Sequence, residues 1–87
     1  MEDIKYIVTL LSNSYSTLLY KNLKSKGLNV EYISTPSAIG RGCQKAVRFN
    51  ETDIEFVKEE ILKNKLKIKG IYKVVKKDNK FIYELVQ

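Results

Sequence analysis

Asn29-Val30-Glu31-Tyr32-Ile33-Ser34-Thr35-Pro36-Ser37-Ala38-Ile39-Gly40-Arg41-Gly42-Cys43-Gln44-Lys45-Ala46-Val47-Arg48-Phe49 reads as two consecutive strands with a loop, and no helix, between them. Asn29 to Ser34 is short and rich in β-formers. Cys43 to Phe49 alternates: Cys43, Lys45, Val47 and Phe49 share one face, and Gln44, Ala46 and Arg48 the other. Between them, Thr35 to Gly42 holds the only proline and two of the four glycines. Pro36 fixes its own φ and pushes Thr35 towards an extended conformation, while Gly40 and Gly42 widen the turns open to the backbone. The loop delivers the chain to its only cysteine, Cys43.

Working outward, Ile4 to Leu11 is a β-prone apolar run suited to a central strand. Ser12-Asn13-Ser14 breaks it with three good N-cap residues. A helical period follows in Tyr15, Leu18, Leu19 and Leu23, closed by Lys24, Lys26 and a Gly27 suited to the left-handed C′ position. Downstream, Asn50 and Asp53 have capping-box spacing, and Ile54, Val57, Ile61 and Leu62 make the stripe of a second helix. Leu66 to Lys76 returns to strand chemistry with Gly70 as a bulge, Asp78-Asn79 forms a tight turn, and Phe81 to Val86 is a last strand.

The order is β-α-β-β-α-β with one extra C-terminal β, an α+β, ferredoxin-like split βαβ plan. Right-handed crossovers predict one mostly antiparallel sheet ordered β5-β4-β1-β3-β2, with both helices on one face. The lysines of strand four and Lys80 would help protect an edge. The whole chain, 1–87, is expected to be a single domain.

Composition removes several chemistries. The 44% hydrophobic and 30% charged content is that of a soluble globular chain. No apolar run approaches membrane-spanning length, and the opening residues lack a signal-peptide layout, so a cytoplasmic location and no membrane partner are expected. One cysteine excludes an internal disulfide. The absence of histidine excludes imidazole acid/base catalysis and leaves no ligand set for a mononuclear zinc site. No metal and no cofactor are expected.

The +6 net charge concentrates late, where nine lysines lie between Lys58 and Lys80. Such a patch can attract nucleic acid, but a solvated face is the plainer reading. No aromatic-rich RNA-binding strand appears, and Tyr6, Phe49, Tyr72 and Tyr83 fall where core or half-buried strand residues belong. Nucleic acid is therefore not the expected partner. The alternation of Lys63, Lys65, Lys67 and Lys69 reads as one solvated side of a strand.

The topology brings the start of strand three to the sheet end where strand one finishes and helix one begins. Free N–H groups at that helix start, the Gly42 neighbourhood and the cations Arg41 and Lys45 would then favour a Cys43 thiolate. Asn13 or Ser12 could hydrogen-bond the sulfur, with Ser14 either joining them or capping its own helix. A lone cysteine at a strand start can equally be a small buried hydrophobe. The polar Gly40-Arg41-Gly42 lead-in, which packing alone would not require, favours the reactive reading.

Strand, Ser-capped helix, Gly, strand, Thr35-Pro36-x-x-Ile39-x-x-Gly42-Cys43 and a strand ending Val47-Arg48-Phe49 resembles the small bacterial "putative selenium/sulfur carrier protein-like" family, from Ile4 to about Tyr72. The family pattern usually places glycine after the cysteine, arginine after the proline and serines before the cysteine; this chain has Gln44, Ser37 and Gly40-Arg41 there. The resemblance implies that Cys43 holds sulfur or selenium as a persulfide or selenopersulfide, passed from donor proteins to acceptor proteins. A carrier is expected rather than an autonomous enzyme, because no acid/base partner for the thiol can be named. The alternative is a non-enzymatic interaction or regulatory module, such as a homo-oligomer, with a packed cysteine.

Overall fold

The computed structural model describes residues 4–40 and 45–87. The elements are β1 (Lys5–Leu10), α1 (Asn13–Ser25), β2 (Glu31–Ser34), β3 (Lys45–Asn50), a 3-10 turn over Glu51–Asp53, α2 (Ile54–Lys63), β4 (Ile68–Lys77) and β5 (Lys80–Leu85). Five strands form one sheet in the order β2-β3-β1-β4-β5, with every neighbouring pair antiparallel. This is the expected α+β arrangement and the expected strand order.

Alternation along the central strands decides what lies beneath the helices. Val8 stands opposite both Val47 and Ile71, and all three are fully buried. They join Leu10 and Phe49 with Leu19 and Leu23 of α1 and Val57 and Ile61 of α2 in one core cluster, which places both helices on the same sheet face. Burial of each such side chain stabilises by roughly 1.5–3 kcal/mol. Tyr6 stacks on Phe49 with ring centroids 5.9 Å apart, so these two aromatics are core as expected. Tyr72 and Tyr83 are half-buried on the opposite face.

Both helices stop in the same way. At the end of α1, Gly27 (φ +82°) donates to the Lys24 carbonyl, and the Leu28 N–H donates to the Leu23 carbonyl. At the end of α2, Lys65 (φ +52°) donates to Leu62 and Leu66 donates to Ile61. These are Schellman pairs, each followed by a leucine that returns to the core. Gly27 takes this conformation freely; Lys65 takes it with a Cβ in the way.

Several expectations change in detail. Leu18 is exposed, and the buried stripe of α1 passes instead through Ser16, Leu19 and Leu23. Leu62 is also exposed, beyond the edge of the α2 stripe. Asn50 makes no side-chain cap bond; its Oδ1 accepts from the Lys5 ammonium, across the β1–β3 pair. The bulge falls at Lys69–Gly70, where Thr9 faces Gly70 but Leu10 already faces Ile68. Of the four alternating lysines only Lys69 lies in a strand, since Lys63 ends α2, Lys65 forms the left-handed turn and Lys67 belongs to the connection. β4 is internal, so its lysines guard no edge. Asp78 and Asn79 both have positive φ, the type I′ signature, and close the β4–β5 hairpin.

Candidate functional site at the start of helix one

Ser12 ends the apolar run of β1 and turns the chain into α1. It has extended backbone angles, and its Oγ accepts from the Tyr15 N–H at 3.3 Å, so Ser12 rather than Ser14 is the cap. The Ser16 N–H reaches the Ser12 carbonyl at 3.1 Å. The N–H groups of Asn13 and Ser14 have no acceptor among the described residues. A helix start of this kind favours negative charge through both its free donors and its dipole.

The first residue of β3 is fastened to this helix start through both its backbone N–H and its carbonyl. The Lys45 N–H donates to Asn13 Oδ1 at 2.9 Å. Its carbonyl accepts from Ser16 Oγ at 3.0 Å. Ser16 is fully buried, and its hydroxyl also lies 3.3 Å from the Ser12 carbonyl. The β1–β3 register adds the same constraint from the sheet, with Thr9 opposite Ala46. Asn13 and Lys45, both expected at the site, are therefore in direct contact. Ser14 lies exposed beside them, in a shallow hollow lined by Asn13, Ser14, Thr17, Leu18 and Lys21. Arg41, Gly42 and Cys43 lie outside the described residues.

The Lys45 side chain crosses to the β2 edge. Its ammonium donates to Ser34 Oγ at 3.2 Å and stands 5.7 Å from the centre of the Tyr32 ring. Tyr32 is itself fixed from α1, by its hydroxyl 3.0 Å from Thr17 Oγ1 and by a tilted contact with Tyr20. The cation is thus held near the sheet end by two β2 side chains, of which Tyr32 is positioned by the helix.

The other approach to Cys43 is the loop from Thr35. The Pro36 carbonyl accepts from both Ile39 and Gly40, at 3.0 and 3.1 Å, closing one turn. Gly40 is required here by space and not by a left-handed backbone: a Cβ at this position would lie 2.7 Å from Thr35 Cγ2. Thr35 Oγ1 is buried with no hydrogen-bond partner among the described residues.

The residues that sequence reasoning missed are Ser16 and the Tyr32–Ser34 pair. Ser16 left a trace: it sits three residues before Leu19 and seven before Leu23, so a polar side chain occupies the buried stripe. A second cavity, of about 520 Å³, is lined by Ile4, Lys5, Lys73–Lys76 and Phe81 at the opposite end of the sheet, and its lining has no carboxylate, hydroxyl or thiol.

No helix among the described residues is long and apolar enough to cross a membrane. No curated protein and no solved structure matches the chain. The family described as "Putative Se/S carrier protein-like" matches residues 5–73, which takes in β1 through the first half of β4 and so every element that meets at this site. The chain belongs to that family.

Proposed function

We propose that the chain is a carrier that holds one sulfur or selenium atom on Cys43 and passes it between partner proteins in the cytoplasm. The observation that supports this most is the double fastening of Lys45 to the start of α1. Cys43 precedes Lys45 by two residues, so its Cα lies within about 7 Å of the Lys45 Cα. In this reading the Cys43 thiolate would face the N–H groups that begin α1 at Asn13 and Ser14. Arg41, Gly42, Lys45, Asn13 and Ser14 supply the positive potential and donors that favour a thiolate.

The transfer needs no oxidant or reductant. The Cys43 thiolate attacks the terminal sulfur or selenium of a donor persulfide or selenopersulfide. The new bond forms to Cys43, the donor's S–S or S–Se bond breaks, and the donor cysteine leaves as its thiolate. In the second half an acceptor nucleophile takes the terminal atom and Cys43 leaves as a thiolate in turn. No histidine is required, because each leaving group is already an anion of moderate pKa.

Intact-mass measurement after incubation with a low-molecular-weight persulfide tests the reading. Wild type is expected to gain one sulfur, removable by dithiothreitol, and Cys43→Ser to gain none. An adduct of equal size on Cys43→Ser, or none on wild type, contradicts it.

A further inference from the structure

The two edges of the sheet are built differently. β2 has four residues, and its Glu31 is paired with Arg48 of β3, the short and charge-guarded edge that resists pairing with another chain. β5 has six, and Phe81, Ile82 and Leu85 are exposed on it at 63%, 42% and 64%. Its only charged residues are Lys80 and Glu84, placed four apart.

The hydrogen-bond phase decides which backbone groups are free. Val86 donates to the Ile71 carbonyl, and Ile71 donates to the Gln87 carbonyl. Val86, Glu84, Ile82 and Lys80 therefore turn their peptide groups towards β4, and Leu85, Tyr83 and Phe81 turn theirs outward along the open edge.

We infer that β5 pairs antiparallel with β5 of a second copy of this chain, centred on Ile82. In this register Phe81 and Tyr83 exchange N–H···O=C bonds with Tyr83 and Phe81 of the other copy, Ile82 faces its counterpart, and Lys80 faces Glu84 twice. Neighbouring registers lose the match. Centring on Tyr83 sets Glu84 against Ile82, and centring on Phe81 sets Glu84 against Asp78. The pairing makes one continuous ten-stranded sheet and leaves both copies' helix-one sites free, because β4 and β1 separate β5 from β3. The inference does not depend on carrier chemistry.

Sedimentation equilibrium of the full chain in a Cys43→Ser background, which prevents disulfide-linked dimers, provides the test. The starting protein is expected to be a reversible dimer. Lys80→Glu, which faces Lys77 within its own hairpin and so keeps the monomer folded, is expected to weaken association by about tenfold or more, since two attractive cross-strand pairs become repulsive. Adding Glu84→Lys to it restores the original association. Ile82→Lys, which sets like charges face to face on the two-fold axis, abolishes association with native circular dichroism retained. A starting protein that stays monomeric into the millimolar range, a dimer indifferent to Lys80→Glu, or a double variant that fails to recover while folded overturns the inference.

Discussion

Replacing Ser16 by alanine severs the buried half of the link between α1 and β3. Its hydroxyl is the side-chain donor that fastens the Lys45 carbonyl, at 3.0 Å, and the serine is wholly buried. A carbonyl left without that donor in a part-buried place costs roughly 1–3 kcal/mol. Alanine recovers about 0.5 kcal/mol in helix propensity. The net destabilisation is therefore about 0.5–2.5 kcal/mol, and in a chain of this size Tm falls by about 4–8 °C per kcal/mol. Asn13→Ala removes the other bond from an exposed position, where water replaces it, and should cost about 0.5–1 kcal/mol. Urea denaturation followed by far-ultraviolet circular dichroism measures both. Because the two side chains hold the N–H and the carbonyl of the same residue, the double variant should deviate from additivity. Both should also slow Cys43 alkylation at neutral pH by loosening the strand start from the helix. Ser16→Ala with unchanged stability and unchanged alkylation would refute the fastening.

Three further outcomes follow from the fold. Glu60 is buried and accepts from Lys26, Asn64 and Asn22, and the Lys26 bond chiefly holds its carboxyl below the ordinary value of 4.5 against the opposing effect of burial. Its stabilisation is full above that ordinary value and is lost as pH falls through the depressed folded value, so the stability gap between wild type and Glu60→Gln should narrow as urea denaturation is carried from pH 6 to pH 3. Gly27→Ala, at φ +82° with nothing within 4 Å of the added methyl, should cost about 1 kcal/mol by backbone strain alone, whereas Lys65→Gly should leave stability unchanged or raise it by up to about 1 kcal/mol in the same assay. Gly40→Ala should displace Thr35 and alter the rate of Cys43 alkylation while leaving the urea midpoint nearly unchanged, since the strain is confined to the Thr35–Gly40 turn.

The fold was legible because local signals agreed with one another. The Ile4–Leu11 run, the Ser12 break, Gly27 and the Asp78-Asn79 turn each mark a boundary that nothing in the tertiary structure overrides. Two strands in succession between helices then leave one strand order. The errors are those of faces. Leu18 and Leu62 fit a helical period but lie at the rim of their stripes, and periodicity cannot say how wide a stripe the sheet covers. Asn50 has capping chemistry, yet Lys5 on the neighbouring strand claims its side chain, a contact 45 residues away in sequence. At the site, Asn13 and Lys45 could be placed together from topology alone. That Asn13 would hold the N–H of Lys45, and that the buried Ser16 would hold its carbonyl, depends on the β1–β3 register, which no local pattern states.

The pH dependence of Cys43 alkylation in the native protein is the most direct test of the proposal that its sulfur is held as an anion where α1 begins. A titration midpoint at least about one unit below the ordinary thiol value of roughly 8.5, moving back towards it in Asn13→Ala, is the predicted result. A midpoint at or above 8.5, or a thiol that reacts only after unfolding, would contradict it.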